Sequence, residues 1–203
     1  MRAKPEEPAL ASVGELRNLH FGIVPDQPAL MIDASISAAR PAPGRSCGSC
    51  ALCCKVYDVP AVPMTAGTWC RHCQPGRGCR IYDDRPQQCR DFLCLWITQD
   101  FLGPEWKPER SRFVLTMDGA SKLLYAQVDP GAPQAWRKEP YLSQFRRWAE
   151  AGNRPVIVFV GKSATAVTAR GETALGQLGA DERVVMRDLP GGRQVVEKVR
   201  AAG

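Results

Sequence analysis

All nine cysteines of this 203-residue chain lie between residues 47 and 94. They are Cys47, Cys50, Cys53, Cys54, Cys70, Cys73, Cys79, Cys89 and Cys94. Cysteines that served only as small apolar side chains would be spread along the chain. Their concentration predicts that the thiols act together. It also constrains the fold more than any other feature, because one segment has to bring many sulfur atoms close to one another.

A disulfide framework is the first interpretation of such a cluster, and the sequence disfavours it. The number of cysteines is odd, and a bridge between the adjacent Cys53 and Cys54 would be strained. The N-terminal residues include prolines and acids where a signal peptide needs an apolar stretch, and no apolar run approaches the ~18 residues of a membrane span. We therefore expect a cytoplasmic protein without a membrane partner, in a compartment that keeps thiols reduced.

Metal binding explains the spacing of the thiols better. Cys47 and Cys50, and likewise Cys70 and Cys73, are separated by the two residues that let two sulfurs reach one tetrahedral ion. If the stretch CGSCALCC forms a helical turn, Cys47, Cys50 and Cys54 share one face and Cys53 points elsewhere. The adjacent pair would then serve two sites, or one site and the core.

The residues between the cysteines fit such a segment. QPGRGC at 74–79 has the composition of a turn. DDRPQQCRDFLCLW at 83–96 reads as the start of a helix, with Asp84 near the cap and Pro86 in the first turn. Phe92, Leu93 and Trp96 would form its apolar face. Because short irregular segments bury little surface, an ion that cross-links them would hold them in place.

Three sequence features occur together here: CGSCALCC, an isolated cysteine at Cys70, and CRIYDDRPQQCRDFLC. This combination resembles the YkgJ-type cysteine-cluster proteins, a family described as zinc- or iron-chelating, over residues 47 to 94. The resemblance implies metal binding and says little about any reaction. The ligands that it implies are Cys47, Cys50, Cys53, Cys54, Cys70, Cys79, Cys89 and Cys94.

The same resemblance assigns roles to neighbouring residues. It sets Cys73 aside as an extra cysteine, in a place where the family is expected to have an apolar residue. His72 beside it is expected to be an exposed loop residue rather than a substitute ligand. Arg85, Pro86 and Arg90 would support the cluster, since arginine offsets the charge of thiolates and donates hydrogen bonds to sulfur. Tyr82 would pack against the segment. All of these residues lie within the stretches WCRHC and CRIYDDRPQQCRDFLC.

Eight ligands suffice for one or two four-thiolate sites. Zn²⁺ suits a closed tetrahedral site of this kind, but cysteines also hold iron–sulfur clusters, and spacing does not decide between them. We expect zinc in a structural or metal-handling role, with iron or an iron–sulfur cluster as the alternative. The competing hypothesis is a redox or group-transfer component, which would use an iron–sulfur centre or a reactive Cys70–Cys73 pair activated by Arg71 and Arg77.

The rest of the sequence, together with the cysteine-rich segment, predicts an α+β fold. We expect an extended N-terminal arm at 1–46, the cysteine-rich metal-binding module at 47–96, and a mixed α/β body with an antiparallel sheet at 97–203. RFVLTMDG and KLLYAQVD predict a hairpin, YLSQFRRWAEAG a helix capped at Gly152, and RPVIVFVG a buried strand. ERVVMRDLPGG predicts a further strand, and RQVVEKVRAAG a last helix or strand. In the arm, FGIVPD and ALMIDASISA could each add a short strand or turn.

No catalytic arrangement is visible. His20 and His72 are the only histidines and belong to no catalytic motif. GKSAT at Gly161 follows a strand, but a phosphate-binding loop needs glycine where Val156 stands. The net charge of +6 is scattered, so a nucleic-acid-binding zinc module is the weakest of the options. We expect a protein that is not an enzyme, and the sequence does not identify a protein partner.

Overall fold

A computed structural model describes residues 40–62, 64–119, 121–179, 181–190 and 193–200. The predicted arm segments FGIVPD and ALMIDASISA lie outside these residues. The helices are α1 (Cys53–Val56), α2 (Gln87–Asp91), α3 (Leu95–Thr98), α4 (Pro108–Ser111) and α5 (Tyr141–Gly152), with 3₁₀ turns at Pro104–Trp106 and Ala135–Arg137. The strands are β1 (Cys73–Gln74), β2 (Gly78–Cys79), β3 (Phe113–Met117), β4 (Leu124–Val128), β5 (Val156–Val160), β6 (Ser163–Thr168), β7 (Gly171–Gln177), β8 (Glu182–Leu189) and β9 (Arg193–Arg200).

The main sheet has five strands in the order β3-β4-β5-β6-β7. The predicted β3–β4 hairpin and the buried strand β5 are confirmed. The pairing of β4 with β5 is parallel, however, so the sheet is mixed rather than antiparallel throughout. The reason is the connection between them: α5 carries the chain back to the starting edge, as parallel neighbours require. The α+β class is confirmed.

Helix α5 covers one face of this sheet with an aromatic core. Phe145 and Trp148 lie on its buried face and pack with Trp106, Phe113 and Tyr141. The predicted helix is confirmed, but the left-handed cap is Asn153 with φ +47°, not Gly152. Asparagine tolerates this conformation better than most residues with a side chain, so the helix runs one residue longer than the glycine suggested.

The opposite face of the sheet is covered by the β8–β9 hairpin. Val184 of β8 is buried against Leu123, Ile157 and Ala164. The strand predicted in ERVVMRDL is therefore confirmed, and the last segment is a strand rather than a helix. The sheet is the middle layer of three, with α5 on one side and a two-stranded ribbon on the other.

Strand β3 contributes to two apolar clusters at once. Phe113 and Leu115 face the aromatic core, whereas Val114 between them packs against Leu52 and Ile97 of the cysteine-containing segment. Successive side chains of a strand point to opposite faces, so this division follows from the period of two. One strand thus fixes the cysteine segment to the sheet.

Within the cysteine segment the predicted helices are shorter than expected. CGSCALCC is not one helical turn, because α1 begins only at Cys53 and a turn precedes it, in which the Cys50 amide donates to the Cys47 carbonyl at 2.8 Å. The helix predicted after Asp84 is broken into α2 and α3 at an extended stretch that ends at Cys94. Pro86 precedes α2 as its cap residue instead of lying in its first turn.

Burial of Cys94 against Leu52 and Val56 accounts for that break, since tertiary packing overrides helix propensity over such short stretches. In the part of the chain that the structure describes, no helix combines the length and the apolar character needed to cross a membrane.

Candidate metal centre

All nine cysteines are free thiols, so the disulfide interpretation is excluded for this structure. Cys70, Cys73 and Cys94 are buried, and the other six are partly buried. Thiols withdrawn from solvent in this number are unusual for a segment with so little regular secondary structure. Their arrangement therefore depends on the backbone contacts that hold the loops together.

Two sets of backbone contacts bring distant cysteines together. The Cys70 amide donates to the Cys54 carbonyl at 2.9 Å, which ties the loop before β1 to helix α1. In the β1–β2 ribbon, Cys73 stands directly opposite Cys79. Gly78 has φ +101°, and a Cβ there would lie 2.8 Å from the carbonyl oxygen of Gly48. Only glycine allows this approach, which places the ribbon beside the turn that holds Cys47 and Cys50.

The thiols are described as two groups, which a hydrogen bond between Cys53 and Cys54 connects. The first thiol group consists of Cys47, Cys50, Cys53 and Cys94. Negative charge on Cys47 or Cys50 affects the ionisation of both Cys53 and Cys94, and Cys47 and Cys94 also share one apolar cluster. Burial raises the pKa of Cys50, and it raises the pKa of Cys94 to about 11. A hydrogen bond with Cys54, together with burial, raises the pKa of Cys53 well above its ordinary value.

The second thiol group consists of Cys54, Cys70, Cys73, Cys79 and Cys89. Charges on Cys54, Cys70 and Cys79 affect both Cys73 and Cys89, and four of the five share a second apolar cluster. Burial and these charges raise the pKa of Cys73 to about 12. Hydrogen bonds with Cys53 and Cys73 lower the pKa of Cys54 to about 7, against the opposing effect of burial. Cys54 thus loses its proton more readily than an ordinary thiol.

The grouping of the cysteines differs from the one that the sequence predicted. Cys47 and Cys50 associate with Cys53, not with Cys54, because the chain turns before α1 instead of continuing as a helix. Cys53 and Cys54 hydrogen-bond with one another although they belong to different groups, and that the adjacent pair serves two sites stays a prediction. Cys73, which the family resemblance set aside, belongs to the second group, and its two-residue spacing from Cys70 was the signal for it.

A cavity of about 190 Å³ lies between the two groups. Among the cysteines, its lining includes the eight that were predicted as ligands and leaves out Cys73. Tyr57, His72 and Arg85 also line it. The donors that face this space are thus mostly soft sulfurs, the ligand type that zinc and iron–sulfur centres use.

The sulfurs surround this space without converging on a point. Among the residues that the structure describes, no three Cys, His, Asp or Glu side chains form a group that could hold a metal ion as placed. The chemistry of the donors fits a thiophilic metal, whereas their placement is wider than a single tetrahedral ion requires.

Residues expected to support the cluster adjoin the second group. Arg85 stacks on the ring of Tyr82 at 3.7 Å, and its charge contributes to the lowered pKa of Cys54. Arg90 donates to the Arg85 carbonyl at 2.6 Å and so holds the loop in place. The His72 ring accepts a hydrogen bond from Arg71 at 3.1 Å. That these residues support a metal remains a prediction.

A buried carboxylate, which the sequence did not single out, anchors α1 to the sheet. Asp129 is 0% exposed and forms ion pairs with Lys55 at 2.7 Å and with Arg112. Burial opposes ionisation of Asp129, but Lys55, the Gly131 amide and Arg112 outweigh it and lower its pKa. Lys55 directly follows Cys53 and Cys54, so this contact fixes the helix that both thiol groups share.

No protein-family model, curated protein or solved structure matches the chain. The resemblance of residues 47 to 94 to YkgJ-type proteins therefore stays a prediction that rests on the quoted motifs.

Proposed function

We propose that this protein binds zinc or iron through the eight cysteines of its two thiol groups that line the cavity, in a structural or metal-handling role. The observation that supports the proposal is the cavity lined by eight free thiols, four from each group. Cysteines that served only as small apolar side chains would not be expected to gather around one cavity. A reducing cytoplasm is the location that this role fits, because the thiols must stay free of disulfides.

The protonation of the thiols supports the same role. Burial keeps the pKa of Cys94 at about 11 and raises the pKa of Cys50. Without a cation these thiols hold their protons at neutral pH, so a bound metal has to displace them, and binding should weaken as the pH falls. Four thiolates complete a tetrahedral shell and leave no open position for chemistry. Binding without catalysis is therefore the function proposed.

An iron–sulfur centre is the second candidate, and the cavity favours it. Zinc draws its sulfur ligands to about 2.3 Å, which leaves no space among them. Here the sulfurs surround about 190 Å³ and do not converge as placed. A polynuclear centre with its own sulfide would fill such a space and would add redox or group-transfer chemistry.

Anaerobic purification followed by quantification of zinc, iron and sulfide tests both candidates. Zinc without visible absorption supports the first candidate. Iron together with sulfide, and an absorption band at about 400 nm, supports the second. Protein that takes up neither zinc nor iron with sulfide, after reconstitution under reducing conditions, would contradict the proposal.

Paired variants test the two groups. Cys47→Ser with Cys94→Ser should remove the metal of the first group only, and Cys79→Ser with Cys89→Ser that of the second. Cys73→Ser is the matched control, because Cys73 does not line the cavity and its loss should leave the metal content unchanged. Full metal content in both double variants would show that the thiols are not the ligands.

A further inference from the structure

Tyr57 follows α1 and is one of the residues that line the cavity between the thiol groups. Its ring packs on Phe92 with a centroid distance of 5.0 Å, in the apolar cluster that contains Val56, Cys94 and Val114. The ring therefore has a defined position beside Cys94, a member of the first thiol group.

This hydroxyl is buried and lacks a hydrogen-bond partner among the residues that the structure describes. Thr116 lies on the same face of β3 as Val114 and near enough to influence the hydroxyl, but it forms no hydrogen bond of normal geometry with it. A tyrosine hydroxyl keeps its proton at neutral pH, so the oxygen can donate a hydrogen bond. Buried hydroxyls nearly always have a partner.

Two cysteines of the first thiol group share their surroundings with Tyr57. Cys94 lies in the same apolar cluster, and Cys53 and Cys94 line the same cavity as Tyr57. A protonated hydroxyl stabilises a nearby thiolate by donating a hydrogen bond to its sulfur.

We propose that Tyr57 is a positioning residue for the first thiol group, whose hydroxyl donates a hydrogen bond to a sulfur of that group once the group is ionised and holds metal. This inference rests on the proposed function. It predicts effects of opposite sign in the two states. In the metal-free protein the hydroxyl is unpaired and unfavourable, whereas in the loaded protein it supports a ligand.

Tyr57→Phe removes the hydroxyl and leaves the ring in place. Anaerobic titration with Co²⁺, in competition with a chelator, measures the affinity of each equivalent through the sulfur-to-cobalt charge-transfer band. We expect one of two equivalents to bind about tenfold more weakly, with a shift of its band, since loss of a residue that supports a ligand typically has this effect. The melting temperature of the metal-free variant should be equal to that of the wild type or higher.

Tyr125→Phe is the matched control. Tyr125 lies on β4, packs on Phe159 in the cluster beneath the β8–β9 hairpin and does not line the cavity, so its variant should bind both equivalents normally. Unchanged affinity and band position in Tyr57→Phe would overturn the inference, as would a fall in metal-free melting temperature with unchanged affinity. If the wild type takes up no Co²⁺, the proposed function itself fails.

Discussion

The sheet body at 113–177 and the cysteine segment at 47–98 achieve order by different means. The body has five paired strands and a helix of twelve residues, and Phe113, Phe145 and Ile157 are fully buried in it. The longest helix of the cysteine segment has five residues, and its strands have two each. Hydrogen-bond ladders and a large apolar core hold the first region. The second region has only a two-residue ladder and two small apolar clusters, so on the proposed function bound metal would supply part of its order.

If the protein holds metal as proposed, removal of that metal should separate the two regions most clearly. We expect a chelator to abolish amide hydrogen-exchange protection at 47–98 and to leave it largely intact at 113–177. The free energy involved is on the order of 10 kcal/mol, because structural metal binding and local folding are one equilibrium. Hydrogen exchange with mass spectrometry measures both regions in one sample. Equal loss of protection in the body would show that the two regions fold as one unit and would break the comparison.

Phe145→Ala should destabilise the sheet body and leave the cysteine segment unaffected. Phe145 is 0% exposed and packs against Trp106, Phe113 and Trp148, so its loss should lower the free energy of unfolding by about 3–5 kcal/mol. Denaturant unfolding measures the change, and the metal content of the folded protein should stay unchanged. Leu142→Ala on the same helix is the control, since Leu142 is only partly buried and should give a smaller loss.

Asp129→Asn tests the link between the regions. Loss of the buried charge leaves Lys55 and Arg112 without their partner and should lower the free energy of unfolding by about 3 kcal/mol. The pKa of Asp129 is lowered in the folded state, so its contribution is present above the unfolded value of about 4 and is lost as the pH falls through the folded pKa.

Unfolding of the wild type and of Asp129→Asn should therefore differ at neutral pH and converge in acid. Glu172→Gln is the control for the charge change, because the Glu172–Arg137 pair lies at the surface and contributes at most about 1 kcal/mol. A constant difference across the whole pH range would assign the effect to packing instead of charge.

Local patterns predicted the body better than the cysteine segment. Apolar periodicity over many residues identified α5, the β3–β4 hairpin and β5, since each is long enough for its pattern to repeat. The parallel pairing of β4 with β5 depends on where the chain returns after α5, which no local pattern records. In the cysteine segment, α1 and α2 have four and five residues, too few for a period to appear.

The sequence predicted which cysteines line the candidate site, but not which of them lie near one another. The eight cysteines named from the motifs line one cavity, but the turn before α1 decides that Cys47 and Cys50 lie near Cys53 rather than Cys54. Asp129 escaped notice because an aspartate after a strand usually belongs to a turn, and only the folded structure places Lys55 beside it.

Side chains along β3 point alternately to two packed faces, and this alternation limits the insertions and deletions that the strand can tolerate. Deleting or inserting one residue within Phe113–Met117 would exchange the faces of the residues on one side of the change, so the strand could not keep all its contacts with both the aromatic core and the cluster at α1. Both neighbouring regions would be damaged by one change in length. Loops elsewhere can tolerate such changes, whereas the residue count of this strand is fixed from both sides.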